Sequence, residues 1–216
     1  MAIAPVNKFL TFSVPVAPGE QVVYSTPVGV SAILLYAQVA NVGVNTYPTV
    51  TFTHRRKTNK TGNIRNTRIV KDIEIPPEDA LVIIDGRYVL ERTAVISDSI
   101  VVEGSQAGIV SVYDCKYDNV TGITTVTTYQ NHNFSFGDEV TMSGLAFTCS
   151  SNNIAITTTI FPSPQASFTV TNVGTSTVFT TNTGVIAGIA HTYVSGGLVG
   201  PLQMEFTCSI LENSNV

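Results

Sequence analysis

Apolar and polar positions alternate with a period of two along much of this chain, the mark of strands that bury one face. In residues 9–16, Phe9, Thr11 and Ser13 point one way while Leu10, Phe12 and Val14 point the other. Residues 30–39 are almost wholly apolar, which predicts a central strand covered on both faces. Residues 21–25, 49–54, 68–75 and 96–103 complete a first set of short strands. Ala17-Pro18-Gly19-Glu20 is a turn, because proline presets φ and glycine accepts a positive one. Asp85-Gly86, set between residues 80–84 and 87–91, predicts a tight hairpin. Strands this short and this frequent point to an antiparallel β-sandwich of jelly-roll or immunoglobulin-like type.

The closing run, residues 202–211, has the cleanest alternation. Leu202, Met204, Phe206, Cys208 and Ile210 share one face, and Gln203, Glu205, Thr207 and Ser209 the other. Such a strand needs a sheet to complete, and the first module offers one. Between them lies a polar stretch bounded by flexible residues, Gly104-Ser105-Gln106-Ala107-Gly108 at one end and Ser195-Gly196-Gly197 at the other. The simplest organisation has residues 96–103 and 202–211 as neighbouring strands, with a second domain inserted at their turn. This gives a docking sandwich of residues 1–104 plus 200–216 and an inserted, outward-projecting domain of residues 105–199; the alternative is two consecutive domains. The insert is itself β-patterned, with strands at 109–116, 123–129, 138–142, 147–149, 154–159, 167–172, 177–181 and 191–194. It reads as a small second sandwich or barrel.

Composition sharpens this picture. Of 216 residues, 29 are Val, 29 Thr and 18 Ile, against 9 Leu. Side chains stiff at Cβ suit a pleated strand and lose freedom in a helix, so a helical bundle is excluded. A hydrophobic content of 44% with a net charge of −4 excludes disorder. Only 12% of residues are charged, about half the usual ~25% for a soluble domain. All 11 Lys and Arg lie at or before Lys116, and five acids (Asp118, Asp138, Glu139, Glu205, Glu212) are the only charges beyond it. The opening residues carry no basic region followed by an apolar core, and no apolar run is long enough to span a bilayer as a helix. No membrane association is expected. Cys115, Cys149 and Cys208, odd in number and widely spaced, read as buried reduced thiols; a Cys115–Cys149 bridge is the weaker alternative.

The search for chemistry finds little. His54, His132 and His191 are isolated in sequence, without a zinc-type pair or cluster, and each reads as a surface or hydrogen-bonded histidine. No nucleophile elbow, phosphate loop or dinucleotide glycine pattern occurs. Asp138-Glu139 after Gly137 reads as turn chemistry, since adjacent strand residues face opposite ways. The expectation is a non-enzyme with no catalytic residue, metal or cofactor. One basic stretch stands out, with Arg55, Arg56, Lys57, Lys60, Arg65, Arg68 and Lys71 free of acids, spread over a loop between two strands. It reads as a solvated loop or as a contact for an acidic protein neighbour. Nucleic acid is disfavoured, because no aromatic residue interleaves and the pI is near 5.3. In the insert, Tyr129, Phe134, Phe136 and Tyr193 are candidates for an outer contact, a host glycan included, or else core and turn anchors.

Particular strings resemble a known class. These are Val23-Tyr24-Ser25-Thr26-Pro27-Val28-Gly29-Val30-Ser31-Ala32-Ile33, Phe52-Thr53-His54-Arg55-Arg56, Ile73-Glu74-Ile75-Pro76-Pro77-Glu78-Asp79-Ala80, Gly86-Arg87-Tyr88-Val89-Leu90-Glu91 and Ser209-Ile210-Leu211-Glu212. Together they resemble small β-sandwich virion structural proteins of tailed bacteriophages, of the marine cyanophage type. The segments 132–140 and 191–197 are similar to modules of the same class. The resemblance implies a particle component assembled in the host cytoplasm, partnered with other virion proteins and with copies of itself. It does not identify the position in the particle; a tail position (neck, tube exterior or baseplate) is preferred, with capsid decoration and a host-glycan module as alternatives. A charge-poor, Thr/Val/Ile-rich surface agrees, since apolar patches mark interfaces.

Overall fold

The computed structural model describes residues 6–151, 154–158, 161–186 and 189–214; among them are strands, turns and irregular backbone, and no helix. The first strands are β1 (Val6–Pro15), β2 (Gly19–Ser25), β3 (Val30–Asn41), β4 (Thr49–Thr58), β5 (Ile64–Glu74), β6 (Ala80–Glu91) and β7 (Ile96–Ser105). Then follow β8 (Val110–Tyr117), β9 (Ile123–Thr128), β10 (Glu139–Ser143), β11 (Ala146–Ser151), β12 (Ile154–Thr158), β13 (Ser167–Thr175), β14 (Val178–Asn182), β15 (Ala190–Ser195) and β16 (Leu198–Pro201), and finally β17 (Met204–Ser214). Thr159, the last residue of one expected strand, lies outside the described residues. The protein is all-β, in two compact units. One takes Met1–Val16, Glu20–Ser105 and Gln203–Val216; the other takes Ala17–Gly19 and Gln106–Leu202.

The first unit is a sandwich of two antiparallel four-stranded sheets, ordered β1-β17-β3-β6 and β2-β7-β4-β5. With its eight strands counted in chain order, these are 1-8-3-6 and 2-7-4-5, the order of a jelly roll. The expected alternation of the closing strand holds from Met204 onward; Leu202 lies before β17 in the other unit, and Gln203 is buried. On β17, Met204, Phe206, Cys208 and Ile210 are buried, and between the sheets they join Leu34, Val39 and Leu90 to Val50, Phe52, Ile100 and Val102. Phe206 and Phe52, one from each sheet, have ring centroids 5.9 Å apart. Near the end of β17, Tyr24 donates to Glu212 Oε1 at 2.8 Å and so ties β2 to the opposite sheet.

Three expectations are corrected here. Asp85-Gly86 does not turn a hairpin: β6 runs through it as one strand. Tyr36 of β3 pairs with Asp85 and Leu34 with Tyr88, so the dipeptide sits in a bulge, with Gly86 at φ 153°. Residues 96–103 and 202–211 are not neighbours; β7 pairs with β4 in one sheet and β17 lies between β1 and β3 in the other. The basic stretch is mostly strand, because β4 extends to Thr58 and β5 begins at Ile64.

In the second unit β8, β16, β10, β13, β14 and β9 pair in that order, and β8 pairs again with β9 from Val112↔Thr128 to Tyr117↔Thr124. The ring closes into a six-stranded barrel, which removes sheet edges around its circumference. The hairpin β11–β12 and strand β15 extend it from β8. Val112, Cys115, Val126, Val140, Met142, Val170, Phe179 and Val199 fill its core. The four-residue strand β16 has no counterpart among the strands expected from the sequence; it is too short to show a period.

Candidate functional site

The basic hairpin is built by ten and eleven residues of strand joined at residues 59–63, where Thr58 N–H donates to Asn63 O at 2.8 Å. Alternation decides what each cation can do. Arg56 lies on the core side of β4 with His54 and Phe52, directly across from Asp98 of β7. Its Nε and Nη2 donate to the two Asp98 oxygens at 2.7 and 2.6 Å. The Asp98 side chain has no exposed surface, whereas that of Arg56 is 38% exposed. Asp98 also accepts the Glu91 N–H at 2.9 Å and meets His54 Nε2 at 3.2 Å; His54 Nδ1 reaches the Tyr88 hydroxyl at 2.8 Å. Burial alone pushes the Asp98 carboxyl up, but Arg56, the Glu91 N–H and His54 outweigh it and hold it below the ordinary carboxylate range. The hydrogen bond to Asp98 likewise holds the Arg56 guanidinium above its usual value. Arg56 is therefore held in an ion pair with a buried carboxylate.

Arg55, on the other face, is also engaged: it pairs with Glu20 at 2.5 Å and donates to Asn66 Oδ1 at 3.0 Å. Among the described residues, the carboxylate that Lys71 meets is that of its exposed neighbour Asp72, at 3.5 Å, a contact worth little in water. Lys57, Lys60, Arg65 and Arg68 are exposed, and among the described residues no carboxylate comes within ion-pair distance of them. The outer edge of β5 is unpaired, and cations on such an edge discourage strand addition by another chain.

The four aromatic candidates of the insert separate sharply. Phe134 is 8% exposed and belongs to the barrel core, stacked on the His132 ring at 5.0 Å and edge-on to Phe179 at 5.3 Å. It does not reach the surface. His132 is a satisfied core histidine, accepting the Phe134 N–H at Nδ1 and facing Thr175 O from Nε2 at 3.2 Å. Phe136 is 78% exposed at the tip of a turn closed by Asp138, whose Oδ2 accepts the Ser135 N–H at 2.8 Å. Tyr129 and Tyr193 come together, and the fold adds Tyr113 to them.

Tyr113 is placed by a bulge. Val112 pairs with Thr128 and Asp114 with Thr127, so Tyr113 is the extra residue of β8. The bulge lets Val112 and Cys115, three apart, both point into the barrel while Tyr113 points out, 60% exposed. Its ring meets that of Tyr129, 64% exposed, edge-on at 5.2 Å and 81°. Tyr129 is anchored by its own N–H, which donates to Ser111 O at 3.0 Å. Tyr193 donates its hydroxyl to Gly196 O at 2.8 Å, and burial pushes its phenol up, so it stays a protonated donor. These rings line a shallow groove of about 380 Å³ with Ser111, Val194, Ser195 and the Gly196–Gly197 turn. No lining residue is charged.

The fold also unites Cys149 of β11 with His191 of β15, whose Sγ and Nδ1 are hydrogen-bonded. Cys149 is thus half-buried and partnered rather than fully enclosed; Cys115 and Cys208 are buried, and all three thiols are free. The pair resembles a nucleophilic dyad in composition only. Burial pushes the Cys149 thiol up and the His191 imidazole down, so both stay neutral, the reverse of an activated thiolate. Phe161 stacks on the imidazole at 3.8 Å and Tyr117 meets it edge-on. Among the described residues, no group of three or more His, Cys, Asp and Glu is gathered to hold a metal.

No protein-family model matches the chain, and no curated protein matches it. Among solved structures it is similar to the T=1 particles derived from infectious bursal virus, at 8% identity and a TM-score of 0.31, covering 98% of this chain and 40% of that one. It is similar to the VP2 subviral particle of infectious bursal disease virus at 6% identity and a TM-score of 0.30, covering 100% and 42%. A third similarity, at 9% identity and a TM-score of 0.22, is to the stem and receptor-binding domain of the spike protein P1 from bacteriophage PM2, covering 95% and 96%. The chain spans about two fifths of the length of the first two structures.

Proposed function

We propose that this protein is a non-enzymatic structural component of a tailed-phage particle, assembled in the host cytoplasm as a homo-oligomer with other virion proteins. The observation that carries the reading is the jelly roll whose β4–β5 edge hairpin presents four exposed cations on an otherwise charge-poor chain. Sequence strings resembling tailed-phage virion proteins support the same role. The position we favour is the tail (neck, tube exterior or baseplate), with capsid decoration as the alternative. In this reading the jelly roll docks and the barrel faces outward.

Lys57, Lys60, Arg65 and Arg68 are then the docking set, meeting an acidic neighbour, and Arg56 is not part of it. A quadruple Lys/Arg→Gln variant at these four positions is expected to keep its melting temperature, since exposed substitutions each change stability by roughly ±0.5 kcal/mol or less. Its incorporation into particles should fall about tenfold, and incorporation of the native chain should weaken with salt. Unchanged incorporation, measured by quantitative blotting of purified particles, retires the docking hairpin.

The domain layout has its own check. Replacing residues 106–202 with a short Gly-Ser linker should leave β1–β7 and β17 folded, with Tyr24 and Glu212 still paired across the sheets. The linker must cross between two sheets packed about 10 Å apart, which a few residues do easily. A chain that no longer folds cooperatively would mean that the jelly roll depends on the barrel.

A further inference from the structure

We infer that the Tyr113–Tyr129–Tyr193 groove of the barrel is a binding site for a neutral saccharide. The inference stands apart from the particle role, because it concerns the isolated chain and one face of the barrel.

The first argument is placement. A regular β8 could not bury both Val112 and Cys115, and the bulge that allows this turns Tyr113 outward. Bulges recur beside binding sites for this reason: they re-aim one side chain without disturbing the strand. The two exposed rings then hold each other edge-to-face at 5.2 Å. A pair so arranged loses little further freedom when a ligand settles on it. Tyr193 is fixed by its bond to Gly196 O and by an edge contact with Phe147 at 5.7 Å.

The second argument is chemistry. The groove offers aromatic faces, the hydroxyls of Ser111 and Ser195, and the backbone of a glycine turn. Apolar faces bordered by neutral hydrogen-bonding groups match a pyranose ring, whose C–H face stacks and whose hydroxyls point to the rim. With no charge in the lining, an anionic ligand has nothing there to neutralise it. A volume near 380 Å³ lies at the small end of small-molecule sites, about 300–1,000 Å³. Peptide addition to a strand edge is blocked at the paired β8 and β9.

The test uses the purified full chain against a printed array of neutral and anionic oligosaccharides, bacterial polysaccharide fragments included. Hits are then titrated by tyrosine fluorescence, which the absence of Trp leaves unobscured. The expected result is saturable binding of a neutral saccharide, insensitive to salt. Tyr113→Ala and Tyr129→Ala should each weaken it roughly tenfold, and Tyr129→Phe, which keeps the stacking face, by no more than about threefold. Ring resonances of Tyr113 and Tyr129 should shift during titration of the native chain, which maps the site without any variant. The inference fails if no neutral saccharide binds, if only anionic glycans bind and salt releases them, or if the rings do not shift. It fails too if the alanine variants bind as well as the native chain. If instead they abolish self-association in sedimentation, the groove is a protein contact. None of these outcomes bears on particle incorporation through the β4–β5 hairpin.

Discussion

Replacing Arg56 with alanine lowers the stability of the jelly roll by about 3 kcal/mol, the lower end of the range for breaking a buried ion pair. The lower end applies because the guanidinium is 38% exposed and water already screens it. What remains is the cost of the partner. Asp98, with no exposed side-chain surface, would keep only the Glu91 N–H and His54 to stabilise its charge. The pH dependence follows from the direction of the Asp98 shift. Its folded carboxyl titrates below its unfolded value, so the stability it contributes is present above the ordinary carboxylate range. That contribution is lost as pH falls through the folded value. The gap between native and Arg56→Ala chains should therefore be widest near pH 7 and narrow progressively below about pH 4, toward the lower folded value of Asp98. Urea titrations at both pH values measure it. A loss that is equal at both, or under about 1 kcal/mol at pH 7, would show that the pair with Asp98 does not stabilise the jelly roll.

Truncating Phe206 to alanine is expected to cost the jelly roll about 3–5 kcal/mol, the usual penalty for a large aromatic removed from a core. Phe206 is fully buried on β17, and its ring bridges Phe12 beside it, at 6.4 Å, and Phe52 of the opposite sheet. The hole would open between two sheets that cannot collapse onto it, since neighbouring strands hold their spacing. Its core residues form a cluster distinct from that of the barrel. Hydrogen exchange should then show lost protection on β3 and β17 while β13 and β14 keep theirs. Phe179→Ala, in the barrel core, should give the opposite map. Protection lost everywhere in either variant would mean one cooperative unit rather than two.

Legibility from sequence followed the physics of each element. The inward face of β17 was readable because strict alternation beside a buried sheet leaves one register available. The length of β5 was not: four of its first five residues, Arg65, Asn66, Thr67 and Arg68, are polar, and the strand is exposed along most of both faces. With neither face buried, period two vanishes and a basic strand reads as a loop. The engagement of Arg56 was not legible either, because only the pairing of β4 with β7 sets it against Asp98. Tyr113 was missed because an exposed tyrosine in a strand carries no local mark. Phe134, within a polar turn, read equally well as surface or core until His132 and Phe179 closed over it.

The sequence by itself determined the all-β class, most strand positions, the inward face of the terminal strand and the absence of charge beyond Lys116 other than five acids. Those are local quantities, set by Cβ branching, side-chain alternation and turn chemistry within a few residues. The tertiary structure alone decided that Asp85-Gly86 bulges rather than turns, that β7 and β17 lie in opposite sheets, and that six strands of the insert close into a barrel. It also decided which tyrosines meet. Each of these depends on which distant strand supplies the hydrogen-bonding partner, and the same local residues satisfy more than one partner equally well.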